Sequence, residues 1–261
     1  MPELPEVEMI RQYIEQNCLT RRISDVQIYD NSILKGTKPT EMKKALRGAS
    51  FKKAKRHGKQ LFLLMDTGRI ITLHLGMTGD ILLLPPRKKA PLWTRVRVDF
   101  SDSYHLVYVD LRKFGGIGLT SSIEEFVAEK RLGPDALQVK KEMFIEKMGE
   151  HSKAIKSVLL DQRVVAGIGN LYSDEILFQS KVHPCHPANE LPNASLSNMY
   201  TNMRRVLLAA IRVKTDFSLL PRSFILRDRA LGKECPRRNG SFECIKVGGR
   251  TSYYCPSCQS L

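Results

Sequence analysis

Met1-Pro2-Glu3-Leu4-Pro5-Glu6-Val7-Glu8 opens the chain. Removal of Met1 is expected before Pro2. That would leave a secondary amine with a pKa of about 8, the ordinary α-amino range. Such an amine is partly neutral near pH 7, so it can attack an aldehyde or sugar carbon and form an iminium. Glu3 lies beside it, and Glu6 and Glu8 follow. Val7, Ile10 and Ile14 recur at helical spacing, which predicts a helix opening at Pro5 or Glu6. The amine and a carboxylate would then sit together near a positive helix end. Taken alone, the same acids also fit the plainer role of macrodipole partners in a first turn.

Outward from this stretch, the composition narrows the partners. The chain has 261 residues, enough for two domains and a small appendage. A hydrophobic content of 42% supports real cores and excludes a disordered chain. Lys and Arg number 42 against 27 Asp and Glu, a net charge of +15, which suits a polyanion such as nucleic acid. No apolar run is long enough to span a membrane, and acids stand where a signal peptide carries bases. A cytoplasmic protein acting as a monomer is expected. Cys235, Cys244, Cys255 and Cys258 cluster near the C-terminus, and in a reducing compartment that clustering suggests a metal site. Cys18 and Cys185 read as ordinary buried thiols.

Residues 20–125 read as strands. Gln60–Met65 and Arg69–Leu75 flank the turn signal Asp66-Thr67-Gly68, and Arg95–Phe100 alternates strictly. Short turns between such strands indicate an antiparallel sandwich or barrel. Three stretches there read as loops. Lys52–Lys59 is a dense basic run ending in Gly58-Lys59. His74–Gly79 frames Met77 between glycines, where Met is either core filler or a wedge between bases. Asp110–Gly116 sets Arg112 and Phe114 two apart, one side chain for phosphate or base edge and one for stacking.

Leu132-Gly133-Pro134-Asp135 marks a boundary, and the chain beyond it reads as helical. Val165-Ala166-Gly167-Ile168-Gly169-Asn170 precedes a helix over 171–179, with Asn170 as its N-cap. A Gly-rich turn there can offer backbone N–H groups to a phosphate. In the tail, Cys235 and Cys255-Pro256-Ser257-Cys258 bracket a hairpin with Val247-Gly248-Gly249-Arg250 at its tip. The first C-x-x-C is broken by Arg238, so Cys244 is expected as the fourth thiolate, or else the site is weak or empty.

Together these stretches resemble the formamidopyrimidine-DNA glycosylase/endonuclease VIII family of base-excision repair enzymes. The resemblance spans nearly the whole chain. It rests on the Pro2–Glu8 opening, Gly58-Lys59, His74-Leu75-Gly76-Met77, Asp110–Gly115, the 165–172 segment and Val247–Arg250. Leu4-Pro5 and the Arg112/Phe114 loop are closer to the formamidopyrimidine branch.

The resemblance implies an α+β fold in three parts: an N-terminal helix with a β-sandwich (1–132), a helix–two-turn–helix domain (133–220) and a zinc-finger-like hairpin (221–261), with damaged or abasic double-stranded DNA in the cleft between. It implies attack by Pro2 on C1′ of a flipped nucleotide, acid/base work by Glu3, and β,δ-elimination. Lys59 matches the family's phosphate and elimination lysine, and Arg250 the hairpin arginine that holds phosphates. Lys156 and Asn170 match phosphate and lesion contacts, and Met77, Arg112 and Phe114 the void-filling residues. Glu6 matches a second acid. One structural zinc on Cys235, Cys244, Cys255 and Cys258 is implied.

Three departures limit what carries over. Arg238 replaces the usual second zinc cysteine. Trp93 stands where the family places a basic or polar DNA contact. The 215–229 segment is shorter and lacks the Gly-rich lid that oxidised-purine enzymes close, so purine specificity does not carry over. A non-catalytic damage-binding protein of the same shape, or a zinc-ribbon RNA binder, would explain the charge without the N-terminus.

Overall fold

The computed structural model describes residues 2–238 and 240–261. The expected loss of Met1 lies outside the described residues. The chain divides into two compact units, one of Pro2 with Glu6–Lys130, the other of Glu3–Pro5 with Arg131–Leu261.

The first unit follows a helix, α1 (Leu4–Asn17), with nine strands and two short helices. The strands are β1 (Ile23–Ile28), β2 (Leu34–Lys35), β3 (Phe51–His57), β4 (Gln60–Met65), β5 (Ile70–His74), β6 (Gly79–Leu84), β7 (Thr94–Phe100), β8 (His105–Asp110) and β9 (Gly116–Thr120). The helices are α2 (Pro39–Leu46) and α3 (Ile123–Glu129). One sheet has the order β1-β7-β8-β6 and the other β2-β9-β5-β4-β3, antiparallel except for β2 against β9. Their inner faces share one core, in which Phe51 of one sheet meets Phe100 of the other edge to face at 6.3 Å.

Strict alternation is borne out in β7, where Thr94, Val96, Val98 and Phe100 are buried and the residues between are not. The Asp66–Gly68 signal forms the β4–β5 turn, with Leu64 opposite Ile70. The basic run differs from its reading as a loop. It forms β3, with Lys52, Lys53 and Lys55 exposed while Phe51 and Ala54 face the core. Only Gly58-Lys59 is loop, a two-residue connection between His57 and its partner Gln60.

The second unit is helical, with a terminal hairpin. Its helices are α4 (Lys141–Gly149), α5 (Ile155–Leu160), α6 (Asn170–Ser180) and α7 (Asn193–Arg212), and the hairpin pairs β10 (Glu243–Val247) with β11 (Arg250–Tyr254). On α7, Leu196, Met199, Met203, Val206, Leu207 and Ala210 form one apolar stripe. α6 has no solvent face of comparable size. Tyr172, Ile176 and Leu177 enter the main core, and Ser173, Asp174 and Glu175 are buried too. Buried polar side chains on a central helix need partners, and those partners build the site.

Candidate active site and nucleic-acid interface

Glu3 sits at the start of α6. Its Oε2 accepts from Gly169 N at 2.6 Å and Tyr172 N at 3.4 Å, and its Oε1 accepts from Leu171 N at 2.9 Å. Leu4 N donates to the Gly167 carbonyl at 3.0 Å, which fixes the backbone beside it. The first N–H groups of a helix have no partner within it, and a carboxylate both satisfies them and complements the dipole. Gly169 is required by this fit, because a Cβ there would lie 2.3 Å from the Glu3 carboxyl carbon.

The expected cap and phosphate seat are therefore corrected. Gly169, not Asn170, is the N-cap, and the Gly-rich turn gives its N–H groups to Glu3 rather than to a phosphate. Asn170 is the first helical residue, and its Nδ2 donates to the Thr251 carbonyl at 3.1 Å.

Lys156 lies in the interior. It has no exposed surface, because Nζ donates to Asp174 Oδ1 at 2.6 Å and to the Thr251 carbonyl at 3.2 Å. Burial lowers its pKa, and the charge of Asp174 opposes that shift. Asp174, equally buried, accepts from Ser252 Oγ at 2.7 Å, Tyr253 N at 3.0 Å and Arg229 Nε at 2.9 Å. Lys156 thus works inside a network that ties α5 and α6 to β11. Arg250 opens β11 and is exposed, with Gly248 at φ +56° and Gly249 at φ +75° making the tight turn before it. Both angles lie where glycine is favoured in a two-residue hairpin loop.

In the first unit, Asp110 builds the Arg112/Phe114 loop. Its Oδ1 accepts from Thr78 Oγ1 at 2.6 Å and Arg112 N at 3.2 Å, and its Oδ2 accepts from Gly115 N at 2.9 Å. Thr78 Oγ1 in turn accepts from Arg112 N at 3.0 Å, so the Met77 loop is fastened to this one. Met77 and Phe114 are 39% and 58% exposed, too open for the core-filler reading of Met77. The Arg112 guanidinium lies over the Phe114 ring at 4.8 Å. His74 accepts from Gly76 N at Nδ1, which requires a neutral ring there. Burial lowers its pKa first and the positive charge of Lys59 second, which places the β3–β4 turn lysine in its field. Glu6 stands in the first turn of α1.

Cys235, Cys255 and Cys258 come together, their sulfur atoms all within 4.8 Å of one another. This group can hold a metal ion. Cys244 does not join it: it is exposed on β10, opposite Tyr253. A strand residue two-sided in this way points its side chain either to the cluster or to solvent, and here it points to solvent. Cys18 is fully buried and Cys185 half-buried.

Sequence reasoning missed Asp110 and Asp174 as organisers. Asp110 carries a local signal, an Asp at a strand end that can hold the turn after it. Asp174 carries none, because its five hydrogen bonds come from three separate segments.

The formamidopyrimidine-DNA glycosylase N-terminal domain model matches residues 1–117, and the formamidopyrimidine-DNA glycosylase H2TH domain model matches 132–220. The chain belongs to the formamidopyrimidine-DNA glycosylase family. It is 34% identical to the formamidopyrimidine-DNA glycosylase of Ligilactobacillus salivarius, over 99% of each chain. It is 31% identical to that of Arabidopsis thaliana, over all of this chain and 71% of the plant protein. Among solved structures, the Lactococcus lactis glycosylase bound non-covalently to DNA containing an abasic site superposes with a TM-score of 0.90, at 28% identity over 99% of this chain and all of that one. MutM in complex with DNA containing carbocyclic 8-oxoguanine gives 0.90 at 29% identity over the whole of both chains. This family membership matches the resemblance drawn from the motifs, and the α+β fold matches as well.

Proposed function

We propose that this chain is a bifunctional DNA glycosylase and abasic-site lyase of base excision repair, acting on double-stranded DNA that carries an oxidised or ring-opened base or an abasic site. The observation that carries the reading is the Glu3 carboxylate, buried and held by three backbone N–H groups at the start of α6, one residue from Pro2. A side chain fixed in this way serves chemistry at its neighbour, and plain macrodipole pairing does not need the preceding proline.

With Met1 removed, the Pro2 amine attacks C1′ of the flipped nucleotide and Glu3 acts as acid/base while the base leaves. The resulting iminium acidifies the C2′ proton, and β- then δ-elimination cut the strand on both sides. Lys59, in the turn beside neutral His74, contacts phosphate and assists elimination. Arg250 at the hairpin tip binds phosphate, and Asn170 holds the Thr251 carbonyl next to it. Lys156 acts through Asp174 on the same strand rather than on DNA. Met77, Arg112 and Phe114 fill the void the flipped base leaves, and Trp93 adds a further DNA contact. Glu6 supplies a second acid near the nucleophile.

The hairpin, 221–261, forms the third functional part after 1–132 and 133–220. Cys235, Cys255 and Cys258 would hold a zinc ion. Thiolates on tetrahedral zinc stand about 3.8 Å apart given a Zn–S distance of about 2.3 Å, and Cys235 and Cys258 are 3.7 Å apart. Bound there, the metal supplies a structural tie. No described helix is long and apolar enough to cross a membrane, and the DNA partner points to the cytoplasm.

Borohydride trapping on duplexes carrying 8-oxoguanine, formamidopyrimidine, thymine glycol, dihydrouracil or an abasic site tests the reading, with intact mass recording the N-terminus. A covalent adduct with Met1 absent supports it, and the strongest lane names the lesion. No adduct on any duplex, with Met1 absent and DNA bound, would leave a damage-binding protein.

A further inference from the structure

Between β6 and β7 runs Pro85-Pro86-Arg87-Lys88-Lys89-Ala90-Pro91-Leu92-Trp93, which contains no acid. Leu92 is 84% exposed and Trp93 47%. A single exposed Leu is ordinary, but this pair has company. Leu111, itself 49% exposed, belongs to the same surface. Arg95 joins them: its guanidinium lies over the Trp93 ring at 5.7 Å, and its Nη2 donates to the Leu111 carbonyl at 3.4 Å.

The platform is held in place. Arg95 Nε donates to the Asp110 carbonyl at 2.8 Å, and Asp110 N donates to the Trp93 carbonyl at 3.0 Å. Asp110 is the residue whose carboxylate shapes the Arg112/Phe114 loop, so Trp93 and that loop hang from one peptide. At the other end of the segment, buried His105 donates from Nε2 to the Lys88 carbonyl at 2.9 Å. Pro91 stiffens what lies between.

We propose that Leu92 and Trp93, flanked by Arg87, Lys88 and Lys89, form a stacking platform for unpaired DNA bases outside the lesion pair, so that the enzyme favours damage next to single-stranded DNA. This rests on the glycosylase reading only for DNA as the partner. An indole face stacks on a base only where that base has left its duplex neighbours, and every base has a face to offer. The three cations meet the phosphates of the same strand. Exposed Leu beside Trp would gain nothing from the phosphate edge of an intact duplex. The basic, acid-free sequence suits a polyanion, and the exposed indole suits one that carries bases.

Trp93 is the sole tryptophan in the chain, so its emission reports its own stacking. The test titrates the wild-type protein with oligothymidylate and with undamaged duplex of the same length and salt, reading intrinsic fluorescence and anisotropy together. Oligothymidylate is expected to quench the emission strongly and duplex weakly. Trp93→Ala should weaken oligothymidylate binding about tenfold more than duplex binding, within the range of one lost base–aromatic stack. Trp93→Phe should restore most of the difference. Unchanged emission with oligothymidylate bound would overturn the platform, as would an equal loss on both DNAs from a Trp93→Ala protein with native circular dichroism. Borohydride trapping of the wild type on an abasic duplex is scored separately. An adduct without quenching rejects the platform and leaves the glycosylase reading intact, whereas quenching without an adduct rejects the glycosylase reading and keeps the platform.

Discussion

The Glu3 carboxylate accepts a hydrogen bond from Gly169 N at 2.6 Å, across 166 positions of sequence. The absence of a side chain at 169 is what lets the carboxyl carbon approach. A buried carboxylate has to meet donors, and the opening turn of α6 supplies three.

Gly169→Ala should therefore displace Glu3 without touching any DNA-facing residue. The expected result is a loss of base excision of about 100-fold, the scale for misplacing a reacting group by about an ångström. Single-turnover kinetics on the preferred lesion, with binding followed by anisotropy, check it. Unchanged excision would remove Glu3 from the chemistry.

Asp174 is the sole carboxylate facing the buried Lys156 ammonium in the described hydrogen bonds, and it also holds Arg229. Asp174→Asn should cost about 3–5 kcal/mol of stability, the usual penalty for leaving a buried charge uncompensated. Urea unfolding measures it. Asp174→Asn combined with Lys156→Met should recover part of the loss, because the stranded charge is then gone.

Glu175 is fully buried and its Oε2 accepts from Leu226 N at 2.9 Å, anchoring the 225–227 turn to α6. Burial raises its pKa from 4.5 to about 7. A folded-state pKa above the unfolded one means the folded protein binds the extra proton. Its contribution to stability is full below about pH 4.5 and is lost as pH rises through about 7. Glu175→Gln keeps an acceptor for Leu226 N and removes the titration. The variant should gain on the wild type in melting temperature as pH rises from 5 to 8, and parallel pH profiles would refute the assignment.

Cys244 and Cys258 separate the metal assignment cleanly. Cys258→Ser should lower bound zinc and speed its loss to a chelator, whereas Cys244→Ser should leave zinc content near that of the wild type. Equal losses would make Cys244 a ligand after all. Arg238→Cys should slow release by adding a thiol to the Cys235 turn.

Much of this was legible along the chain. The β7 alternation, the Asp66–Gly68 turn and the tail hairpin follow from local pattern, because burial on one face of a strand writes itself with period two. The N-terminal motif and the paired Arg112 and Phe114 are contiguous, so their grouping needs no fold. Lys156 reads the other way. The family pattern offers it as a DNA contact, whereas its place in the interior depends on a carboxylate 18 residues on. Asn170 misleads similarly, because a glycine before it takes the cap and a distant glutamate takes the donors. In β3 the lysines suggested a loop, yet one solvent face of a strand accepts them readily.

By itself the sequence determined the family, the α+β class, the basic partner-seeking surface and the identity of the chemical groups, since these depend on residue type and short-range order. Only the tertiary structure decided which groups meet. It seated Glu3 on α6, buried Lys156 against Asp174, gathered three thiols and left Cys244 outside, and hung Trp93 from Asp110. The reason is physical: buried charges and orphaned helix donors must be satisfied, and the partners that satisfy them arrive from segments whose nearness exists only after the chain has folded.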